Sequence, residues 1–336
     1  MKEILADTFS RIVHEHCSTK VVRDIENGTS ADSLWQVIES TGFPDALIPE
    51  QSGGPGLSME DAFPIFELCG ASALPVPLAE TMVARALISS AGDSVPTGPI
   101  ALASGTVVNG TLRCERVTFG AVARHVLVFT RCGRAALLSV DSALRSPDLF
   151  PLDARVEWPI DGKWTTPFGA IAHVDVHAIR ATLCSAQLAG VMQRAFHMTL
   201  VYANDRTQFG RAIGKFQAIQ HQLSVMAEKI SSARMAALLS SVGTPETIER
   251  ANAAIAKALT SEAARDVAAI AHAVHGAIGF TEEFDLQLFT RRLYWLRQAA
   301  GAEGFWQDVL GGIALSRSDR AIDMLREFSD VRSASR

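Results

Sequence analysis

Residues 202–220 read Tyr-Ala-Asn-Asp-Arg-Thr-Gln-Phe-Gly-Arg-Ala-Ile-Gly-Lys-Phe-Gln-Ala-Ile-Gln. This short polar stretch separates two long segments with apolar stripes, which predicts a turn between two helices. Arg206 offers a planar, permanently charged group that suits a pyrophosphate, and Phe209 offers a flat face for an aromatic ring. Gln208 and Gln217 add neutral donors and acceptors. The stretch predicts either a ligand-binding turn or a plain helix hairpin whose arginine is a solvated cap.

The flanking segments have apolar residues at helical spacing. The first helix is expected over about 181–203, the second after the turn, and the third after Thr244-Pro245, with Thr as cap and Pro at the first helical position. The inward residues are expected to be Leu188, Val191, Met192, Ala195, Met198 and Thr199; then Phe216, Ile219, Leu223, Met226, Ile230, Ala233 and Ala237; then Ile248, Ile255, Leu259, Val267, Ile270 and Val274. Long helices joined by short turns predict a bundle over 176–336.

The chain before residue 176 shows two different sequence patterns. Residues 1–96 show helical periodicity, and Ser58 begins a pattern typical of a helix cap. Residues 97–175 contain short apolar runs separated by turns, with Asn109-Gly110 as a hairpin signal. We therefore predict a mainly α fold with a small β domain, divided into a helical domain 1–96, a β domain 97–175 and a helical bundle 176–336.

Two ordered motifs resemble those of the acyl-CoA dehydrogenase family. One is Arg-Thr-Gln-Phe-Gly at 206–210 with the residues that follow it, and the other is His-Gly-Ala-Ile-Gly-Phe-Thr-Glu-Glu at 275–283. Residues 48–54 approximate a third motif, Val-Pro-Glu-x-x-Gly-Gly. The resemblance implies an N-terminal helical domain, a middle β domain that is reduced here, and a C-terminal four-helix bundle.

The resemblance also implies FAD as cofactor and an acyl-CoA thioester as substrate. Arg206, Gln208 and Phe209 would reach across a subunit interface to the pyrophosphate and adenine side of FAD. Gln217 would lie beside them, and Gly276 would belong to the cofactor-binding glycine motif. An electron-transfer flavoprotein is the acceptor that such an enzyme implies.

Three elements of the family pattern are missing. The Thr-Glu-Pro-x-Ala-Gly-Ser-Asp segment of the middle domain has no counterpart, because residues 100–105 run straight into the predicted hairpin. An ungapped count from the glycine motif places Ala300 where the catalytic Glu is expected. Glu303, three residues later, is a candidate base or else a solvated Glu at a loop end. The family's alternative base position has Arg180-Ala181 and no acid.

These absences leave three hypotheses. The chain is a subunit of a heterotetramer that shares FAD with a longer partner, or a homotetrameric acyl-CoA dehydrogenase that uses Glu303, or a catalytically silent scaffold. The chain resembles short bacterial subunits of this family, some of which act in steroid side-chain degradation. The acyl group of the substrate is therefore expected to be either a fatty acyl chain or a steroid side chain.

Composition excludes several other classes. A net charge of -5 gives no basic surface for nucleic acid, and no apolar run approaches the roughly 20 residues that span a bilayer. The five cysteines are scattered without a paired motif, so neither disulfides nor a zinc site are predicted.

His272 and His275 are three residues apart without a third ligand, and we expect packing or polar contacts for them. With the acidic, interrupted start of the chain, this predicts a cytoplasmic protein without metal.

Overall fold

A computed structural model describes residues 2–131, 133–160 and 168–316. Contacts divide the chain into two compact units. The first contains residues up to 180 together with 243–247, and the second contains residues 181–242 and the chain from 248 onward. The fold is mainly helical with one small mixed sheet, as the sequence predicts. The finer division into 1–96, 97–175 and 176–336 stays a prediction.

The first unit begins with five helices, α1 (Lys2–His16), α2 (Thr19–Glu26), α3 (Asp32–Ser40), α4 (Met59–Ala71) and α5 (Leu78–Ser90). Ser58 caps α4 as its sequence predicts, because its Oγ accepts a 3.0 Å hydrogen bond from the backbone N–H of Asp61. Thr81 on α5 joins the helices to the sheet, since its Oγ1 accepts from the backbone N–H of Ile100 at 2.9 Å.

Six strands follow, β1 (Ile100–Val108), β2 (Thr111–Val117), β3 (His125–Thr130), β4 (Arg134–Ser139), β5 (Leu144–Pro147) and β6 (Ala154–Pro159). Their order across the sheet is β4-β3-β1-β2-β6-β5. Strands β1 and β3 are parallel and the other neighbouring pairs are antiparallel. Asn109 and Gly110 both have positive φ between paired Val108 and Thr111, which confirms the predicted two-residue hairpin.

The helices of the C-terminal half are α6 (Val176–Asp205), α7 (Gln217–Ser240), α8 (Arg250–His275), α9 (Leu286–Gln298) and α10 (Glu303–Ser316), with the short strands β7 (Thr207–Gln208) and β8 (Arg211–Ala212) between α6 and α7. Helix α8 packs against α7, α9 and α10. The predicted stripe of α7 is confirmed at its centre, where Leu223, Met226, Ile230, Ala233 and Ala237 are buried. No helix among the described residues combines the length and apolar character needed to cross a bilayer.

The start of the third long helix differs from the prediction. Pro245 lies in a short 3-10 helix, Pro245–Thr247, and α8 begins only at Arg250. The Oγ1 of Thr247 accepts from the backbone N–H of Thr244 at 2.9 Å and donates to the carbonyl oxygen of Thr244 at 3.1 Å, which closes this short turn before α8 begins. Leu259, predicted to face inward, is 39% exposed.

Candidate functional site

The motif at 206–210 forms the tip of a β-hairpin. Thr207 pairs with Ala212 and Gln208 with Arg211, and the two residues at the tip, Phe209 and Gly210, have φ of 50° and 78°. Two successive residues with positive φ are the geometry of a two-residue hairpin turn. A phenylalanine in this backbone region is unusual, and here the conformation places the ring at the outermost point of the turn.

The side chains of this hairpin lie open to solvent. Phe209 is 92% exposed, and Arg206, Gln208 and Gln217 are exposed as well. Among the described residues, the Arg206 guanidinium has no hydrogen-bond or ion-pair partner. A free planar cation beside an exposed aromatic ring fits a ligand with a phosphate and a flat ring, so the chemistry of these residues suits a dinucleotide.

The second motif ends helix α8. Gly276 has φ of 63° and ψ of -144°, and nothing lies within 4 Å of the point where a Cβ would be. Its backbone is therefore open to close approach by a ligand. Gly279 has the opposite environment, because a Cβ there would lie 3.0 Å from the Cβ of His275. The first glycine leaves space, and the second allows tight packing.

Tyr202 brings the two motifs together. Its hydroxyl donates to the carbonyl oxygen of His275 at 3.3 Å, and the two rings stack with centroids 4.4 Å apart. Phe284 packs edge-on against Tyr202 at 6.0 Å. Sequence reasoning missed this link, although Tyr202, in the last turn of α6, stands only four residues before Arg206.

The two histidines make polar and stacking contacts, as predicted. His272 Nε2 is 2.9 Å from the Thr290 hydroxyl, and its ring stacks on Phe280 at 4.1 Å. His275 Nδ1 is 2.8 Å from the carbonyl oxygen of Ala271. Burial lowers the pKa of both imidazoles, so they are neutral near pH 7.

Ala300 lies in the turn between α9 and α10, buried and with φ of 54°. Glu303 is the first residue of α10, and its carboxylate accepts two hydrogen bonds from Arg297, one of them from Nε at 2.9 Å. This pairing lowers the pKa of Glu303. Both side chains are mostly buried, so the alternative of a solvated Glu303 at a loop end is wrong. A carboxylate held by a cation is a weaker base, and Glu303 as catalytic base stays a prediction.

Arg180, at the alternative base position, is buried and donates from Nη2 to Thr118 Oγ1 at 2.8 Å. Glu80, a buried acid that was not predicted from the sequence, is 4% exposed and accepts from the backbone N–H of Leu102 at 2.8 Å. Burial raises the pKa of Glu80 to about 7, although the charge of Arg180 opposes the rise. Its signal in the sequence was an acidic residue inside the apolar run 76–88.

Comparison with known proteins identifies relatives over nearly the whole chain. Residues 175–311 match the family "Acyl-CoA dehydrogenase, C-terminal domain". The chain is 31% identical over 306 residues to acyl-CoA dehydrogenase IpdE2 of Mycolicibacterium smegmatis, covering 89% of this chain and 94% of that protein.

Solved structures with the same fold include a chain of the Tcur3481-Tcur3483 steroid ACAD, with a TM-score of 0.81 and 22% identity over 94% of this chain and 98% of that one. A chain of the ChsE4-ChsE5 complex of Mycobacterium tuberculosis gives a TM-score of 0.80 and 18% identity over 95% and 98%. Both likenesses concern the fold.

Proposed function

Because the chain belongs to the acyl-CoA dehydrogenase family, we propose that it is a subunit of a heteromeric acyl-CoA dehydrogenase and shares an FAD site with a longer partner subunit. The assembled enzyme introduces a Cα=Cβ double bond into an acyl-CoA thioester. The observation that carries this proposal is the hairpin at 206–210, where Arg206 is exposed without a side-chain partner among the described residues. Phe209 beside it is 92% exposed and makes an edge-on ring contact with Phe216 at 6.2 Å.

When bound, FAD supplies the acceptor for the hydride that leaves the acyl β carbon. The residues of this chain serve its binding. Arg206 donates to the pyrophosphate, Phe209 packs against the adenine side, and Gln208 and Gln217 provide neutral hydrogen bonds. Gly276 leaves room for the ligand to approach the end of α8. Tyr202 keeps the end of α8 beside the helix that leads into the hairpin.

The partner subunit supplies the base in this proposal. Taking the α proton requires a carboxylate or a comparable group near the thioester, and the methyl group of Ala300 cannot accept a proton. At the alternative position Arg180 is a cation bonded to Thr118. Neither position of this chain offers a free carboxylate.

Two alternatives make different demands on the same residues. A homomeric dehydrogenase requires Glu303 to release Arg297 and act as base. A catalytically silent scaffold requires neither FAD contact nor turnover. The ion pair between Glu303 and Arg297 supports the heteromeric proposal over the homomeric one, because breaking it would leave a mostly buried guanidinium unpaired.

The structural relatives suggest a substrate class. One is a steroid ACAD and another is a complex of two differently named subunits. We propose a fatty or steroid side-chain acyl-CoA as substrate, an electron-transfer flavoprotein as acceptor, and the cytoplasm as location.

The test is expression of the chain alone and together with a longer acyl-CoA dehydrogenase subunit encoded beside it. Flavin per protein is measured by absorbance after gel filtration, and turnover is measured with an artificial electron acceptor and a panel of straight-chain and steroid acyl-CoA esters. We expect flavin and turnover only in the co-purified assembly. A lone chain that purifies yellow and turns over an acyl-CoA would overturn the heteromeric proposal; an assembly without flavin would favour the scaffold.

A further inference from the structure

Lys257 on α8 has a completely buried side chain, 0% exposed. Its Nζ donates three hydrogen bonds of 2.9 Å, to the hydroxyl of Ser261 and to the backbone carbonyl oxygens of Arg297 and Gly301. An ammonium group has three N–H donors, so this set uses all of them. Lysine is almost never fully buried unless it is paired; here its partners are mainly backbone atoms of one turn.

That turn connects α9 to α10 and has an unusual backbone. Ala300 and Gly301 both have positive φ, 54° and 91°. The indole Nε1 of the fully buried Trp306 donates to the carbonyl oxygen of Ala300 at 2.8 Å. The carbonyls of Arg297, Ala300 and Gly301 thus all accept bonds from buried side chains. Strained backbone of this kind persists only where its surroundings fix it, and Lys257 supplies two of these three bonds.

Opposing electrostatic effects set the pKa of Lys257. Burial lowers the pKa of its ammonium to about 8, Cys184 and the carboxylate of Glu303 act in the opposite direction, and the charge of Arg297 adds to the lowering. Near pH 7 the group is charged, and its bonds to the two carbonyls have the strength of charge-assisted bonds. Above about pH 8 the neutral amine keeps two N–H donors, and the cost of burying its charge is removed.

We infer that Lys257 is a positioning residue whose ammonium fixes the backbone of residues 297–301 and so presents Ala300 at the acyl-facing position of the assembled enzyme. The assignment of Ala300 to that position rests on the proposed function; the hold on the turn rests on the three hydrogen bonds alone. Lys257 itself touches no reacting group, and it acts by limiting the conformations of the turn, which supporting residues of a site must do.

The experiment measures amide hydrogen exchange by mass spectrometry in the assembled protein, comparing peptides that cover 297–306 with peptides from α7. The variant Lys257→Met keeps the length of the side chain and removes its donors. Lys229→Met is the matched control, since Lys229 is a half-exposed lysine of α7 that pairs with Asp266 on the bundle surface. Ser261→Ala is a milder second variant that removes one acceptor from Nζ and leaves the carbonyls bonded.

We expect Lys257→Met to raise exchange in 297–306 by about tenfold or more, because each lost charge-assisted bond contributes roughly 1.5 kcal/mol or more. Peptides of α7, and all peptides of Lys229→Met, should remain near wild type. Burial lowers the pKa of Lys257 to about 8, so an opening that exposes the ammonium must take up a proton above this pH. In the wild type, exchange in 297–306 corrected for intrinsic rates should therefore fall between pH 7 and pH 9, and this fall should be absent in Lys257→Met. If Lys257→Met does not fold, Ser261→Ala must show a smaller rise of exchange in 297–306 at pH 7, with α7 unchanged, for the inference to stand.

Unchanged exchange in 297–306, or an equal increase in α7, would overturn the positioning role. Flavin occupancy separates this inference from the proposed function, because Lys257→Met should keep FAD. If Lys257→Met loosens the turn and Arg206→Ala keeps a normal flavin content, the shared FAD site is refuted. The positioning role of Lys257 then still stands.

Discussion

The guanidinium of Arg180 lies 2.8 Å from the hydroxyl of Thr118, although 62 residues separate them in the chain. A buried cation therefore occupies the position where the family resemblance offers an alternative place for the base. The nearby buried acid, Glu80, has a pKa raised to about 7 by its burial. The burial of Glu80 near this cation should make the stability of the chain depend on pH.

Glu80→Gln should change the pH dependence of stability. The pKa of Glu80 is higher in the folded chain, about 7, than the ordinary 4.5, so the folded state binds the proton more tightly between these values. Its contribution is fully present below pH 4.5 and is lost as the pH rises through about 7, a difference of roughly 3 kcal/mol. We expect thermal melts of wild type to lose stability relative to Glu80→Gln between pH 5 and pH 8. Parallel curves would show that Glu80 titrates normally.

Arg206→Ala should lower the FAD content of the assembled protein. Hydrogen bonds to charged groups contribute about 1.5–3 kcal/mol, so retention of FAD should weaken by roughly 10- to 100-fold. Flavin absorbance per protein after gel filtration measures the effect. Arg265→Ala is the control, because Arg265 is an exposed arginine on α8 away from the hairpin. Equal flavin in both variants would rule out a major pyrophosphate role for Arg206.

Glu303→Gln should act on stability more than on turnover. Removing the charge from a mostly buried pair with Arg297 is expected to destabilise the chain by about 1–3 kcal/mol, measured by urea unfolding. Turnover of the assembly should stay within a few-fold of wild type. Glu228→Gln, at an exposed position of α7, serves as control and should change neither quantity. Abolished turnover with unchanged stability would instead identify Glu303 as the base.

Leu223→Ala and Met226→Ala should each destabilise the chain by about 2–5 kcal/mol, because both side chains are buried in the stripe of α7 and truncation leaves a cavity. Met235→Ala, on the same helix but 53% exposed, should change the free energy of unfolding by less than about 0.5 kcal/mol. Thermal melts of the three variants decide the matter, and similar losses at all three would mean that the buried face is misassigned.

Local sequence patterns predicted the elements that depend on local spacing. The stripe of α7 follows from apolar residues three and four apart, and the hairpin at Asn109-Gly110 follows from the preference of these residues for positive φ. Where a local preference competed with another local contact, the prediction was wrong. Thr244-Pro245 is a plausible helix start, but the Thr247 hydroxyl closes a separate turn there.

The motifs at 206–210 and 275–283 were visible in the sequence because their residue types and order are distinctive. The sequence by itself thus determined the helical bundle, the small β domain and the family. Only the tertiary structure decided which charges are buried and what they pair with. Lys257 reaches carbonyls 40 and 44 residues away, and the pKa of Glu80 depends on burial that no local pattern encodes. Such properties arise from desolvation and from partners distant in the chain, so they exist only once the chain is folded.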